Sequence, residues 1–277
     1  MAGETVRRHV DAALTALTLG GEEQSFLDAR WIVALLRRAP SRSRRRLALS
    51  VLSLSPHYFY RHADDAGLSH TEFTEREFER NRATRERLGH LVLGPHLASH
   101  QAVLDYGCGP GFLVPYVAGR SRTVYGVDIS RGALECARVI NGAPNARFLH
   151  TADVAVIGDA SIDLAYSFAV AQHLTDSVLQ RVLDTVRRKL KPAGMLLLHV
   201  VLDAEGWRTE EEWRRDVSMA GRLRLKYGMN CFTRSEARVR DMLEASGFGS
   251  VVVQSMRDIC PEAFDDVCTQ HLVCARP

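Results

Sequence analysis

The sequence predicts an α/β fold: a mostly parallel sheet with helices on both faces, preceded by a helical N-terminal segment. Three observations carry this. Short apolar runs of strand length recur between residues 102 and 201. Several of these runs end in an acidic residue. The first, Ala102–Leu104, passes through Asp105 into three alternating glycines, Gly107, Gly109 and Gly111. A strand, a glycine turn and a helix in that order bring backbone against a ligand with no Cβ in the way. Such a site lies just outside the carboxyl end of a strand.

Residues 1–95 read as helical. Leu27, Trp31, Ala34, Leu35 and Arg38 fall at helical spacing and make one apolar face. Ser41–Arg46 is a polar link, read as a solvated loop or helix start, with an acidic partner as the alternative. His57-Tyr58-Phe59-Tyr60 is an aromatic cluster. Thr74 with Glu77 reads as a capping box, and Phe73 with Phe78 as its hydrophobic staple. A charged helix is expected from there to about Leu93, where Gly94-Pro95 stops it.

The second run, Thr123–Asp128, ends in an acid about twenty residues beyond the glycines, where a ribose-binding carboxylate is placed in nucleotide-binding βαβ units. A third segment, Arg147–Asp153, again ends in an acid. A fourth, Ile162–Phe168, leads to Gln172-His173-Leu174. Leu190–Gly194 then turns into Met195–Val201. Residues 203–232 form a longer segment with Trp207, Trp213 and Tyr227. Thr233 with Glu236 reads as a capping box for a helix through Met242 and Leu243 that Gly247 ends. Ser250–Gln254 and Val267–Ala275 are the last two strands.

Taken in order, these segments resemble the class I S-adenosylmethionine-dependent methyltransferases. The resemblance is carried by Asp105-Tyr-Gly-Cys-Gly-Pro-Gly111, the acids Asp128 and Asp153, His173-Leu174, and Leu190-Lys-Pro-Ala-Gly194. It covers residues 100–201 well and the remainder loosely. It implies a seven-stranded Rossmann-like sheet with helices on both faces, the last strand inserted antiparallel between its neighbours. Residues 1–95 become an N-terminal helical cap, 96–277 the cofactor-binding catalytic domain, and 203–232 a lid. S-adenosylmethionine is the implied cofactor and S-adenosylhomocysteine the product. Asp105, Gly107, Cys108, Gly109 and Gly111 are expected to wall the amino-acid and ribose portions. Asp128 is expected to take the ribose hydroxyls, Ile129 to pack on adenine, and Asp153 with Val154 to meet the adenine edge. Ser167 and Phe168 would border the methionine part.

His173 lies where cofactor and acceptor meet in this family. A neutral imidazole there can take a proton from a hydroxyl or amine, or it can be structural. Tyr58 and Tyr60 pack cap to core or form a substrate wall. His199, inside a strand, reads as a core histidine. The expected acceptor is a small biosynthetic molecule, with O-methylation ahead of N- or C-methylation. The alternatives are an RNA or protein methyltransferase, or a relative with cyclase or binding activity.

Composition fits this class. The chain has 277 residues, 46% hydrophobic and 25% charged, enough for one core and a small cap. A net charge of +3 does not argue for nucleic acid. No apolar run reaches the about 18 residues of a membrane span. The six cysteines lack paired CxxC spacing, so a reducing cytoplasm is expected. No acidic pair has metal-ligand spacing, and no metal is expected. A homodimer is left open.

Overall fold

The computed structural model describes residues 26–55, 57–219, 231–261 and 269–277. Its centre is a seven-stranded sheet: β1 Ala102–Tyr106, β2 Thr123–Asp128, β3 Ala146–His150, β4 Ile162–Ser167, β5 Leu190–Val201, β6 Ser250–Ser255 and β7 Gln270–Arg276. The spatial order is β3-β2-β1-β4-β5-β7-β6. The first five strands are parallel, and β7 inserts antiparallel between β5 and β6. Strand order reverses between β1 and β4, and a crevice opens beyond their carboxyl ends.

Alternation along the strands sends side chains to two cores. Leu104, Leu196, Leu198 and Val273 meet helices α6 (Asp176–Lys189) and α8 (Glu236–Ala245) through Leu183, Val186, Met242 and Leu243. On the other face Val103, Val124, Tyr166 and Leu197 meet α4 (Val114–Ala118) and α5 (Arg131–Ile140). The N-terminal helices are α1 (Arg30–Arg38), α2 (Ser41–Leu52) and α3 (His70–Leu88). α1 and α2 pack on α5, and α2 also packs on α3, around Ile32, Leu49, Phe73 and Cys136. The remaining named helices are α7 (Glu210–Arg215) and a short α9 (Met256–Ile259). Among the described residues, no helix is long and apolar enough to cross a membrane.

Several local expectations are corrected. α1 buries Ile32, Val33 and Leu36, while Trp31 and Leu35 are exposed. A nine-residue helix lying on a neighbour buries a narrow stripe, and the chain chose the aliphatic one. α3 begins earlier than the Thr74–Glu77 signal, because Ser69 and Glu72 form the capping box. Thr74 is buried one turn in, its hydroxyl donating to the Thr71 carbonyl at 3.1 Å. α8 is capped by Ser235, whose side chain accepts from the Arg238 amide. Thr233 instead accepts from the Ala204 amide at 2.8 Å. Leu190–Gly194 is the kinked start of β5, with a register break opposite Ile162 and Leu164. The arginine run opens helix α2, in keeping with the helix-start reading of that segment. Arg44 donates to the Ala39 carbonyl and Arg45 pairs with Glu75 at 2.7 Å.

Candidate functional site

The glycine turn follows β1 directly. Gly107, Gly109 and Gly111 all have positive φ, at 85°, 51° and 75°. A side chain is excluded at Gly107 for a second reason, since a Cβ there would lie 2.3 Å from Val170 Cγ2. Val170 is brought in by Ala169, itself in the left-handed region at φ 57°. That is a strained conformation for a non-glycine residue. The turn after β4 is thereby pressed onto the turn after β1.

The donors of the glycine turn are used internally. The Gly107 and Cys108 amides donate to Val127 O, and the Gly111 amide to Cys108 O. The Gly109 amide donates to Asp128 Oδ2 at 2.8 Å. Asp128 Oδ1 accepts from the Ser130 amide at 2.8 Å. The glycine amides of the turn are therefore engaged within the protein. A pyrophosphate needs such donors. What this crevice offers instead is acceptors, the carboxylates of Asp105 and Asp128. Each Asp128 oxygen has a second lone pair. That donor–acceptor balance fits a ligand rich in hydroxyl and ammonium donors, as S-adenosylmethionine is.

Asp105 is buried on β1 opposite Tyr166 of β4. Burial raises its carboxyl to about 8, opposed by the Tyr166 hydroxyl and by Arg85, with Asp128 adding to the rise. The Tyr166 hydroxyl is itself fully buried and faces Asp105 without closing a full hydrogen bond. Burial likewise raises Asp128, against the pull of the Ser130 and Gly109 amides. The Cys108 thiol is pushed up by burial and then by both aspartates, which keeps it protonated.

The N-terminal segment is fastened next to this acid pair. Asp28 Oδ1 accepts from Ser130 Oγ at 2.7 Å and from the Gly132 amide at 3.1 Å. Gly132 permits the approach, for a Cβ there would sit 2.0 Å from the Leu27 carbonyl oxygen. The Tyr58 ring then lies over Gly109, 3.2 Å from where its Cβ would be. Burial, then Asp128 and Asp28, push the Tyr58 phenol well up. Tyr60 does not join it: half-exposed, it packs edge-on against His62 at 4.6 Å.

The other candidates distribute along the strand ends. Ile129 is 50% exposed just past Asp128, an apolar surface open to the crevice side of β2. Asp153 is exposed on the short turn Thr151–Val156, and Val154 packs partly into the core beneath. Ser167 is buried. Phe168 stacks on His199 at 5.8 Å and meets Tyr166 edge-on at 6.3 Å. His199 is buried with Nε2 2.8 Å from Gln270 Oε1, and burial holds it down to about 4.

His173 ends the short turn Ala171–His173 after β4. Three segments meet on it. The His57 ring stands edge-on at 5.9 Å, and Cys231 Sγ lies 3.6 Å from His173 Nδ1. The turn is held by buried Arg234, which pairs with Asp176 at 2.7 Å and donates to the carbonyls of Ala171 and Leu174. The Phe232 amide adds a bond to Gln172 O at 2.7 Å. Asp28, Arg85, Tyr166, Cys231 and Arg234 escaped the sequence reading. Arg234 and Asp176 are 58 residues apart, so no local pattern links them. Part of the expected lid, 220–230, and Tyr227 with it, lies outside the described residues, as do residues 1–25 of the expected cap. Among the described residues no group of His, Cys, Asp and Glu could hold a metal ion. An open surface cleft lined by Asp176, Gln180, Glu210, Arg214 and Arg238 includes none of the strand-end candidates.

Residues 103–194 match the family described as "Methyltransferase domain". N-demethylindolmycin N-methyltransferase of Streptomyces griseus is 37% identical over 98 residues, 34% of this chain and 41% of that protein. An uncharacterized methyltransferase of Synechocystis sp. is 33% identical over 99 residues, 35% of this chain and 46% of that protein. The chain thus spans less than half the length of these curated relatives. An S-adenosylmethionine-dependent methyltransferase structure from Mesorhizobium loti superposes with a TM-score of 0.51 at 20% identity. It covers 69% of this chain and 98% of that one, a likeness of fold.

Proposed function

We propose that this chain, which belongs to the class I S-adenosylmethionine-dependent methyltransferases, methylates an oxygen or nitrogen of a small-molecule acceptor. The observation that carries the reading is the acceptor-rich crevice at the glycine turn. Its amides are consumed internally and two buried or half-buried carboxylates face the strand ends. When bound, the cofactor supplies a methyl group on a positively charged sulfur.

The chain's own residues do the rest. Asp128 accepts from the ribose hydroxyls while keeping its two backbone bonds. Ile129 packs on the adenine, with Asp153 and Val154 at its edge. Asp105 holds the ammonium of the methionine part, beside Ser167 and Phe168. The N-terminal helices cap the crevice through Tyr58. His173 accepts the proton that the acceptor's hydroxyl or amine releases as the methyl is transferred. Placement and exclusion of water supply much of the remaining acceleration.

A small acceptor is supported by the Streptomyces griseus relative, named for a small-molecule substrate. In α2, Arg44 and Arg45 are engaged in intramolecular contacts. The test is transfer of radiolabelled methyl from S-adenosylmethionine in a cell extract. Label is expected in the low-mass, acid-soluble fraction. Label confined to acid-precipitable protein or RNA would overturn the small-molecule reading.

A further inference from the structure

We propose that the outer face of α1 and α2 is a docking surface for an anionic phospholipid bilayer, with Trp31 and Leu35 entering the headgroup layer and arginines around them meeting the lipid phosphates. The inference is independent of the methyltransferase reading and concerns a face which that reading does not use.

Charge is segregated along this chain. Residues 29–63 contain eight arginines and no aspartate, glutamate or lysine, while the whole chain carries a net charge of only +3, so the remainder is net negative. Seven of the eight lie on α1 and α2. Three of these are engaged within the protein. Arg37 pairs with Glu135 at 2.6 Å, Arg45 pairs with Glu75 at 2.7 Å, and Arg44 donates to the Ala39 carbonyl at 2.8 Å. Arg30, Arg38, Arg42 and Arg46 are exposed, and their side chains make no ion pair or hydrogen bond among the described residues.

The packing turns these charges the same way. α1 buries Ile32, Val33 and Leu36, and α2 buries Ala48, Leu49 and Leu52. Both helices lie on α5, so their opposite faces point away from it together. Trp31, Leu35 and Arg38 succeed one another at four and three residues and share the outer stripe of α1. Arg42 and Arg46, four residues apart, share that of α2. The link between the helices is only Ala39-Pro40, and Arg44 closes it by donating to the carbonyls of Arg37 and Ala39. Within this cationic face Trp31 is 59% exposed and Leu35 45%.

An indole and a leucine set among arginines match the layered chemistry of an anionic membrane surface. The indole sits at headgroup level, the leucine reaches the acyl boundary, and the arginine stems lie along the apolar layer with their heads at the phosphates. RNA would use the same charges and could stack on Trp31, but it gains nothing from Leu35. The contact is peripheral, since among the described residues no helix is long and apolar enough to cross a membrane.

Co-sedimentation of the full chain with vesicles tests this. Binding is expected to vesicles of equal parts phosphatidylglycerol and phosphatidylcholine, to weaken as salt is raised, and to be slight with phosphatidylcholine alone. Arg38→Gln and Arg42→Gln should each weaken it about 5-fold, and Trp31→Ser about 10-fold. Equal binding to both vesicle types, or to neither, overturns the proposal. Binding that falls with the arginine variants but not with Trp31→Ser, together with tighter binding of poly(U), overturns it in favour of nucleic acid. A dimer in sedimentation velocity that Trp31→Ser dissolves overturns it in favour of a second copy of this chain. Should Trp31→Ser lower the unfolding midpoint, brominated acyl chains decide the matter on the wild type: fluorescence quenching that Trp31→Phe abolishes supports insertion, and its absence overturns it.

Discussion

Asp128 Oδ2 accepts a 2.8 Å hydrogen bond from the amide of Gly109, nineteen residues earlier in the chain. With its other oxygen on the Ser130 amide, one carboxylate ties the glycine turn to the end of β2 and to the start of α5. Asp28 joins the same knot through Ser130 and Gly132. The residue proposed to hold the ribose therefore also holds the loop that forms the opposite wall. On that proposal, cofactor binding and local order are coupled through a single side chain.

Asp128→Ala is accordingly expected to have two effects. The Kd for S-adenosylhomocysteine should rise about 10- to 100-fold, the scale of lost hydrogen bonds to a charged group. Folding stability should also fall by about 1–3 kcal/mol, because two buried amides lose their acceptor. A ribose ligand with no other duty would leave the fold intact. Calorimetry and urea unfolding read the two effects separately. Wild-type values in both would remove Asp128 from both roles.

The pH dependence of stability follows from Asp105 and His199. The folded-state pKa of Asp105, about 8, lies above its unfolded value. Its contribution is fully present below the unfolded value of about 3.9 and is lost as pH rises through about 8. The folded-state pKa of His199, about 4, is depressed. Its contribution is present above the unfolded value of about 6.5 and is lost as pH falls toward 4. Between roughly pH 4 and 6.5 the two slopes oppose each other. Above about 6.5 the His199 slope is gone and the Asp105 slope remains, so its contribution should fall toward pH 8, by at most about 1.4 kcal/mol per pH unit. Denaturant midpoints in wild type and Asp105→Asn test this, since the variant should lose the decline. Binding of an ammonium at Asp105 should also release protons at neutral pH. Binding enthalpies that do not change between phosphate and Tris buffers would count against that assignment.

The strands and their acids were legible because each needs only local information. An apolar run has a length, and the glycines and Asp128 have a spacing. Antiparallel insertion of β7 is a fold-level property and came with the resemblance. Capping was misread at Thr74 and Thr233 because several Ser and Thr residues lie near each helix start. Which one caps depends on where packing begins. The α1 face was misread because Trp31 and Leu35 are as apolar as the residues that are buried. The least legible feature was the setting of His173, built by His57 and Cys231 from segments 116 and 58 residues away.

Arg234 connects that setting to the second half of the chain. It is buried, pairs with Asp176, and donates to two carbonyls of the turn carrying His173. Arg234→Ala strands those acceptors and leaves Asp176 paired with Arg238. A loss of about 3–5 kcal/mol is expected, the scale for removing one partner of a buried pair. At temperatures where the variant is folded, turnover should fall more than S-adenosylhomocysteine affinity, because the turn belongs to the acceptor side. Equal losses in both would mean that Arg234 supports the whole crevice rather than the His173 turn.

His173 itself gives the sharpest test of the chemistry. Its ring is held between the His57 ring and the Cys231 thiol, so its orientation is set by packing before any acceptor arrives. If Nδ1–H donates to the Cys231 sulfur, Nε2 is left with a lone pair to accept a proton; the reverse tautomer makes Nε2 a donor. His173→Ala should lower kcat by about 10²–10⁴-fold, with the Kd for S-adenosylhomocysteine near normal. Cys231→Ser keeps a hydrogen-bonding group at shorter reach and should cost much less. His57→Ala removes the ring that stands edge-on to His173 and should raise KM more than it lowers kcat. An acceptor already ionised at working pH needs no base, and then His173→Ala would retain about a third of the rate or more, far above the loss expected of a base. In that outcome proximity and orientation carry the reaction, and the proton-accepting role passes from His173 to solvent while the methyltransferase assignment is untouched.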